Sequence, residues 1–400
     1  MFGTSVDTNP KKIDDLLGRY VQAVFPSVER VKQILSSGEK LRFYLGIDPT
    51  GPDIHLGHST NFFVLKKLIE LGHEVILLIG DFTALIGDPS GKDAARRALS
   101  PEEIKANMET YLKQVLHILP KGQFKLKYNG EWLGKLSFTD VIKLASHFTQ
   151  QQMIVRDMFQ ERLKAERPIY LNEFLYPLAQ GYDSVAMEVD GEIGGNDQTF
   201  NMLVGRTLSK EMLGKDKIVL TTWLLEDPIT KKKIMNKSEG KLISLNDKPA
   251  DMFGKVMAMN DSAIIPLFEY TTEVSTDKLE EVKARLKTEN PITLKKELAF
   301  ELVKLHHGEK EAQKVSEEFN QVFSKRELPE DIEEFSGEGK SILDFIADNN
   351  LAESRSDAKR LLEQKAVKVN SVTVTDWGQT LSREDIIQVG PRKFAKVSQK

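Results

Sequence analysis

The chain has 400 residues, 40% of them hydrophobic and 29% charged, with a formal net charge of −4 and no cysteine. That length exceeds one hydrophobic core and implies two or three domains. The missing thiols exclude disulfides, thiolate catalysis and cysteine-ligated zinc; no apolar run nears the ~18 residues of a membrane span, and the first residues lack a secretory core. The expectation is a soluble, cytoplasmic protein that makes no membrane contact.

Residues 1–40 carry helical spacing at Leu16, Leu17, Tyr20, Val21 and Val24, and again at Val31, Ile34 and Leu35, predicting helices over a sheet edge. Leu41 to Ile47 is apolar and β-prone, Pro49, Gly51 and Pro52 break it, and Asn61 to Leu71 resumes at helical spacing. This is the first βα unit of an open α/β sheet. Such sheets bind ligands beyond the carboxyl ends of their strands, where a helix N-terminus offers unpaired N–H groups to phosphate. His55 and His58, three apart in the first helical turn, fit as hydrogen-bond donors to a phosphate gaining charge. Gly57 between them would let a nucleotide ring approach the backbone. The same H-x-x-H also reads as a plain surface helix start. As half of a zinc site it lacks a third ligand, since the other five histidines are scattered, and no protein-bound metal is expected.

A second strand, Glu74 to Gly80, is apolar throughout its centre, as in a parallel strand buried on both faces. It ends in G-D-F-T-A-L-I-G-D-P-S-G-K, in which Gly87 to Lys92 is one residue too short for a Walker phosphate loop and Asp93 stands where Ser or Thr belongs. Asp88 is instead an anion near the crevice. Lys92 and Arg96, at i and i+4, are a cationic pair on one helical face or a solvated charge face. Helices follow at 101–119 and 140–148 around a strand at 124–128.

In L-Y-P-L-A-Q-G-Y-D, Tyr176, Gln180 and Asp183 fall at i, i+4 and i+7 and share one helical face, a specificity surface if it points inward. I-G-G-N-D-Q then runs a strand end into a helix over Thr199 to Leu213, with Gly195 for close backbone approach and Asp197 and Gln198 as a ribose-type acceptor and an amide. Ile218 to Thr222 closes the sheet. The basic run Lys231 to Lys241 reads as a solvated loop or as a lid reaching a polyphosphate. Residues 250–330 read as amphipathic helices and Pro329 to Gly339 as an acidic linker.

The tail opens with a helix pair, Ser341 to Asp348 and Ser354 to Gln364, and continues as a hairpin, V-K-V-N-S-V-T-V. From Lys340 to Lys400 there are 11 Lys and Arg against 8 Asp and Glu, a balance of +3, leaving −7 on the rest. A mildly basic module on an acidic body suits contact with a phosphate backbone. It resembles the S4 RNA-binding fold, which would give Arg355, Lys359, Arg360, Lys365, Lys368, Arg392 and Lys393 as RNA contacts.

The motif D-P-T-x4-H-L-G-H resembles the H-I-G-H signature of class I aminoacyl-tRNA synthetases, and nearly the whole chain is similar to the bacterial tyrosyl-tRNA synthetase family. The resemblance implies an α/β fold: a Rossmann-like parallel-sheet catalytic domain over 1–228, a loop and linker over 229–250, an α-helical anticodon-binding-type domain over 251–330 and a small α+β S4-like domain over 340–400. It implies that Tyr44 and Asp183 bind the phenolic hydroxyl of L-tyrosine and that Asp88, Tyr176 and Gln180 hold its α-ammonium, with Thr83 and Gln198 beside them. The ATP side is matched by Gly46, Asp48, Thr50, His55, His58, Gly195 and Asp197, and Lys92 and Arg96 match cations that reach the leaving pyrophosphate. The K-M-S-K-S loop of the family departs here to I-M-N-K-S, Ile234 to Ser238, so its first lysine is missing while Lys237 is retained and Lys233 stands one residue earlier. ATP enters as a substrate with its own Mg²⁺, tRNA(Tyr) is the acceptor, and a homodimer is implied.

Overall fold

The computed structural model describes residues 5–90, 100–235, 242–324, 332–370, 372–390 and 393–399. Lys92, Arg96, Lys237 and Arg392 lie outside them. The chain divides into two compact units, Met1–Ala312 and Gln313–Lys400.

The first unit is built on a six-stranded sheet of β1 (Val21–Phe25), β2 (Arg42–Ile47), β3 (Glu74–Ile79), β4 (Lys125–Tyr128), β5 (Gly191–Gly195) and β6 (Ile218–Thr222), in the order β1-β6-β5-β2-β3-β4. All neighbours are parallel except β1, which pairs antiparallel with β6. The chain leaves β2 toward β3 and β4, then returns to lay β5 on the other side, so the order reverses between β2 and β5. A crevice opens at the carboxyl ends of strands placed this way.

β1 corrects the expectation of helices through Val24. Val-Gln-Ala-Val-Phe is β-prone, and the fully buried β6 supplies the backbone partners that a lone helix turn would not need. The edge of the sheet is therefore covered by a strand.

Helix α1 (Leu56–Glu70) carries Phe62, Phe63, Val64, Leu65 and Leu68 with no exposure. Burying each phenyl ring stabilises by about 2–3 kcal/mol, and the apolar girdle is explained by packing on two sides. One side faces the sheet; the other meets α6 (Ile264–Thr271), part of the helical segment with α5 (Pro249–Met257) and α7 (Pro291–His307). Between α1 and α5 in the chain come α2 (Pro101–Val115), α3 (Leu175–Ala186) and α4 (Thr199–Leu213). Arg19 ties α6 to the sheet layer by donating to the carbonyls of Phe268, Glu269, Thr272 and Val274 at 2.5–3.4 Å. A guanidinium there satisfies carbonyls that a helix end leaves unpaired.

The second unit wraps α8 (Ile342–Asp348) and α9 (Arg355–Glu363) against a sheet of β7 (Glu334–Ser336), β8 (Val367–Val369), β9 (Val372–Thr373), β10 (Ile386–Val389) and β11 (Lys393–Ser398), in the order β7-β11-β10-β8-β9. Its core is Ile342, Phe345, Ile346, Leu362, Val367 and Ile387. β7 lies in the stretch expected to be a linker; it pairs parallel with β11. Among the described residues no helix is long and apolar enough to cross a membrane.

Candidate active site

One cavity of about 530 Å³ opens at the carboxyl ends of the parallel strands. Fourteen of the expected site residues line it: Gly46 near the end of β2 with Asp48 and Thr50 beyond it, His55 and His58 at the start of α1, Thr83 and Asp88 after β3, Tyr176, Gln180 and Asp183 on α3, Gly195 at the end of β5 with Asp197 and Gln198 beyond it, and Lys233. The i, i+4, i+7 face of α3 does point inward.

Asp183 is the closed end. It is 2% exposed, and its two oxygens accept from Trp132 Nε1 at 2.7 Å and Asn129 Nδ2 at 3.2 Å. Burial pushes its carboxyl pKa well above the ordinary carboxylate range, and those two donors pull against the shift.

Tyr44 does not reach the cavity. Its ring is wholly buried against Ile76, Leu78, Met187, Val189 and Trp132, and its hydroxyl lies 3.1 Å from Ser184 Oγ. The pleat accounts for this position. Tyr44 points to the sheet face covered by α3, and the helix turn carrying Ser184 meets the hydroxyl first. Burial, followed by Glu192, raises the phenol pKa well above its usual value.

In the middle of the cavity Asp48 and Asp88 are each held by neighbouring side chains. Thr83 Oγ1 donates to Asp48 Oδ1 at 2.7 Å and Tyr176 Oη to Asp48 Oδ2 at 2.8 Å. Asp88 accepts from Ser90 N and Oγ at 2.9 and 2.6 Å and from Gln198 Nε2 at 2.8 Å. Behind Ser90 the buried guanidinium of Arg156 donates at 3.0 Å and stacks 4.8 Å from the Phe200 ring.

The mouth is arranged differently. His55 is the N-cap of α1 and His58 its third residue, and they form a capping box: His55 Nδ1 accepts from Gly57 N at 3.0 Å and His58 Nδ1 from His55 N at 3.3 Å. A neutral imidazole with Nδ1 accepting must carry its proton on Nε2. Both rings, 4.0 Å apart, thus carry their N–H on Nε2. Burial, aided by His58 and Lys233, lowers the His55 pKa to about 3, so His55 is neutral at ordinary pH. Gly57 answers a closer need than a nucleotide: a Cβ there would stand 2.8 Å from His55 Cε1.

The altered loop is partly described. Ile234, which stands where the family has a lysine, is buried with its N donating to Leu225 O at 2.7 Å. Lys233 pairs with Glu226 as an isolated bridge, lines the cavity and brings Nζ within 3.5 Å of Asp197 Oδ2.

The tail cations are engaged locally. Arg355 pairs with Asp344 at 2.5 Å and Arg360 with Asp357 at 2.5 Å, while Lys359 Nζ lies 3.8 Å over the Trp377 ring. Lys393 donates to Leu351 O at 2.8 Å, and Lys365 and Lys368 are exposed.

Asn129, Trp132, Ser90, Arg156 and Glu192 were not found from sequence. Asn129 and Trp132 follow β4, and a polar residue just past a strand's carboxyl end was the available signal. Among the described residues no group of three or more His, Asp or Glu is placed to hold a metal ion.

Residues 36–324 match the model of tRNA synthetases class I (W and Y), and residues 342–387 match the S4 domain. The chain is 42% identical over 395 residues to the tyrosine–tRNA ligase of Thermotoga maritima, covering 97% of this chain and 98% of that protein. It is likewise 42% identical to the tyrosine–tRNA ligase of Carboxydothermus hydrogenoformans, over 96% and 97%. Among solved structures, it resembles the L-tyrosine complex of tyrosyl-tRNA synthetase from Archaeoglobus fulgidus with a TM-score of 0.60 at 23% identity, covering 77% of this chain and 100% of that one. A C-terminally truncated mitochondrial tyrosyl-tRNA synthetase of Aspergillus nidulans gives a TM-score of 0.65 at 22% identity over 78% and 94%.

Proposed function

We infer the activity from the family: the chain belongs to the tyrosine–tRNA ligases of the class I tRNA synthetases, and it activates L-tyrosine with ATP and passes it to tRNA(Tyr). In the first step the tyrosine carboxylate attacks the α-phosphorus of ATP in line, and pyrophosphate leaves. In the second, a hydroxyl of the tRNA's terminal ribose attacks the adenylate carbonyl, and AMP leaves. Neither step needs a covalent enzyme intermediate. Positioning and charge stabilisation suffice for transfer of this kind.

The observation that carries this reading is one cavity with a buried carboxyl at its closed end and, at its mouth, a neutral His55 imidazole beside His58. Asp183 accepts the substrate phenol beside its Trp132 and Asn129 donors, and a phenylalanine ring would forfeit that added hydrogen bond to a buried carboxyl. Tyr44 backs the floor through Ser184. Asp88, Tyr176 and Gln180 hold the α-ammonium, with Thr83 and Gln198 ordering them. Gly46, Asp48, Thr50, Gly195 and Asp197 cradle the nucleotide, and His55 and His58 donate from Nε2 to the phosphate as its charge grows. Lys92, Arg96 and Lys237 complete the cationic side, and Lys233 takes the place of the missing lysine. Mg²⁺ travels with the ATP phosphates.

Residues 1–228 carry the chemistry and 229–250 the loop; the helices of 251–330 and the S4 module of 340–400 grip the tRNA through Arg355, Lys359, Arg360, Lys365, Lys368, Arg392 and Lys393. A homodimer fits the exposed apolar side chains of Phe138, Ile142, Val155, Leu163, Tyr170 and Leu171, and a chain without cysteine fits the cytoplasm. Tyrosine-dependent exchange of pyrophosphate into ATP is the test. Exchange with tyrosine alone supports the reading, exchange with tryptophan alone makes the chain the sister enzyme, and none with either leaves an RNA-binding protein without activity.

A further inference from the structure

Behind α3 lies an ion pair that the two steps above leave unused. Lys217, one residue before β6, is 1% exposed. Its Nζ donates to Ser184 Oγ at 2.7 Å and to Glu192 Oε2. The room comes from α4, where a Cβ at Gly205 would stand 2.5 Å from Lys217 Nζ and 2.9 Å from Ser184 Oγ. Glu192, on β5, lines the cavity and accepts from Gln180 Nε2 at 3.0 Å with its second oxygen. The remaining polar atom of that amide, Gln180 Oε1, is buried with no hydrogen-bond partner among the described residues, on a residue that lines the same cavity.

An amide has a donor end and an acceptor end of nearly equal size, so its partner decides which way it faces. An ionised carboxylate only accepts. Opposite it, Gln180 must present its NH₂, which makes its carbonyl oxygen the unpartnered end of the amide. Lys217 Nζ lies against Glu192 as its buried ion-pair partner, and removing one member of such a pair strands the other.

We propose that Lys217 and Glu192 are positioning residues that lock the Gln180 amide with its oxygen toward the cavity, making it an acceptor for a primary ammonium and selecting amino acids over their deaminated analogues. This rests on the reading in which Gln180 holds the α-ammonium of tyrosine. Neither Lys217 nor Glu192 touches the reacting atoms.

Glu192→Gln makes a sharp test. With its carbonyl on Lys217, the new side chain must offer NH₂ to Gln180, which then turns its own oxygen inward and its NH₂ to the cavity. Inhibition of pyrophosphate exchange is measured with two probes: tyramine, which keeps the ammonium, and 3-(4-hydroxyphenyl)propionate, which lacks it. Glu192→Gln and Lys217→Met are each expected to weaken tyramine and raise the KM for tyrosine by about 10-fold or more. Inhibition by 3-(4-hydroxyphenyl)propionate and the KM for ATP stay unchanged. Equal weakening of both probes, or no weakening of tyramine, overturns the proposal. Glu192→Gln carries the test alone if Lys217→Met fails to fold. Gln180→Ala keeps the two ideas apart: loss of tyramine there, with none in the other variants, removes the positioning role but leaves Gln180 on the ammonium, whereas no loss there removes the ammonium assignment itself.

Discussion

The closed end and the mouth of the cavity solve opposite problems. At the closed end, Asp183 already has both oxygens engaged by protein donors, and burial rather than a cation governs its charge. At the mouth, His55 and His58 spend Nδ1 on the backbone and carry their N–H on Nε2. The first arrangement resists change and suits reading a fixed ground-state shape. The second keeps rigid donors for charge that exists only during reaction, and only such donors raise kcat.

The largest effect should come from the mouth. His58→Ala is expected to lower the rate of adenylate formation by about 10²–10³-fold with the tyrosine KM unchanged, as for loss of one preorganised donor; single-turnover rates check this. A matched rise in KM would merge the two regions into one binding surface. Next, Asp183→Ala should raise the tyrosine KM by roughly 10–100-fold, as for loss of a charge-assisted hydrogen bond, and leave ATP affinity largely intact. Unchanged discrimination against phenylalanine would remove the closed end's assigned role. Lys233→Ala, which breaks the 3.5 Å contact with Asp197, should slow adenylate formation by about 10-fold, since that contact is half exposed. No change would return Lys233 to the solvated loop.

A pH titration sharpens the contrast through stability. His55 and His306 have pKa values lowered to about 3 and His73 to about 4, burial being the main cause for each. Unfolding returns them to about 6.5, so the unfolded chain binds more protons between the two values. Their contribution is complete above about pH 6.5 and is lost as pH falls. Asp183, raised by burial, acts in the opposite sense. The slope from the three histidines is roughly 4 kcal/mol per pH unit near pH 5, and Asp183 opposes it; denaturant midpoints at pH 7 and 5 check this, and a midpoint that rises on acidification refutes it.

Much of the site was legible because it follows repeating geometry. The inward face of α3 came from helical spacing, and the histidine pair from a strand, a breaker and a helix start. Tyr44 was misplaced because sequence gives the strand but not which helix turn meets its hydroxyl. β1 was hidden by spacing that suits a helix, and β7 by an acidic, glycine-containing context. Lys217 and Glu192 carry no period at all. A lone lysine before an apolar strand reads as surface until β5, β6 and α3 are assembled around it.

The parallel pairing of β7 with β11 sets the order in which the second unit can be completed. Lys396 reaches Glu334 across 62 residues of chain. While the polypeptide is being made, Glu334–Ser336 must wait without a ladder partner until Lys393–Ser398 has been synthesised, and until then β10 keeps one bare edge. A nick between them would leave two fragments, neither holding a finished sheet. The module should therefore be gained or lost as a whole, with protease resistance appearing in a single step.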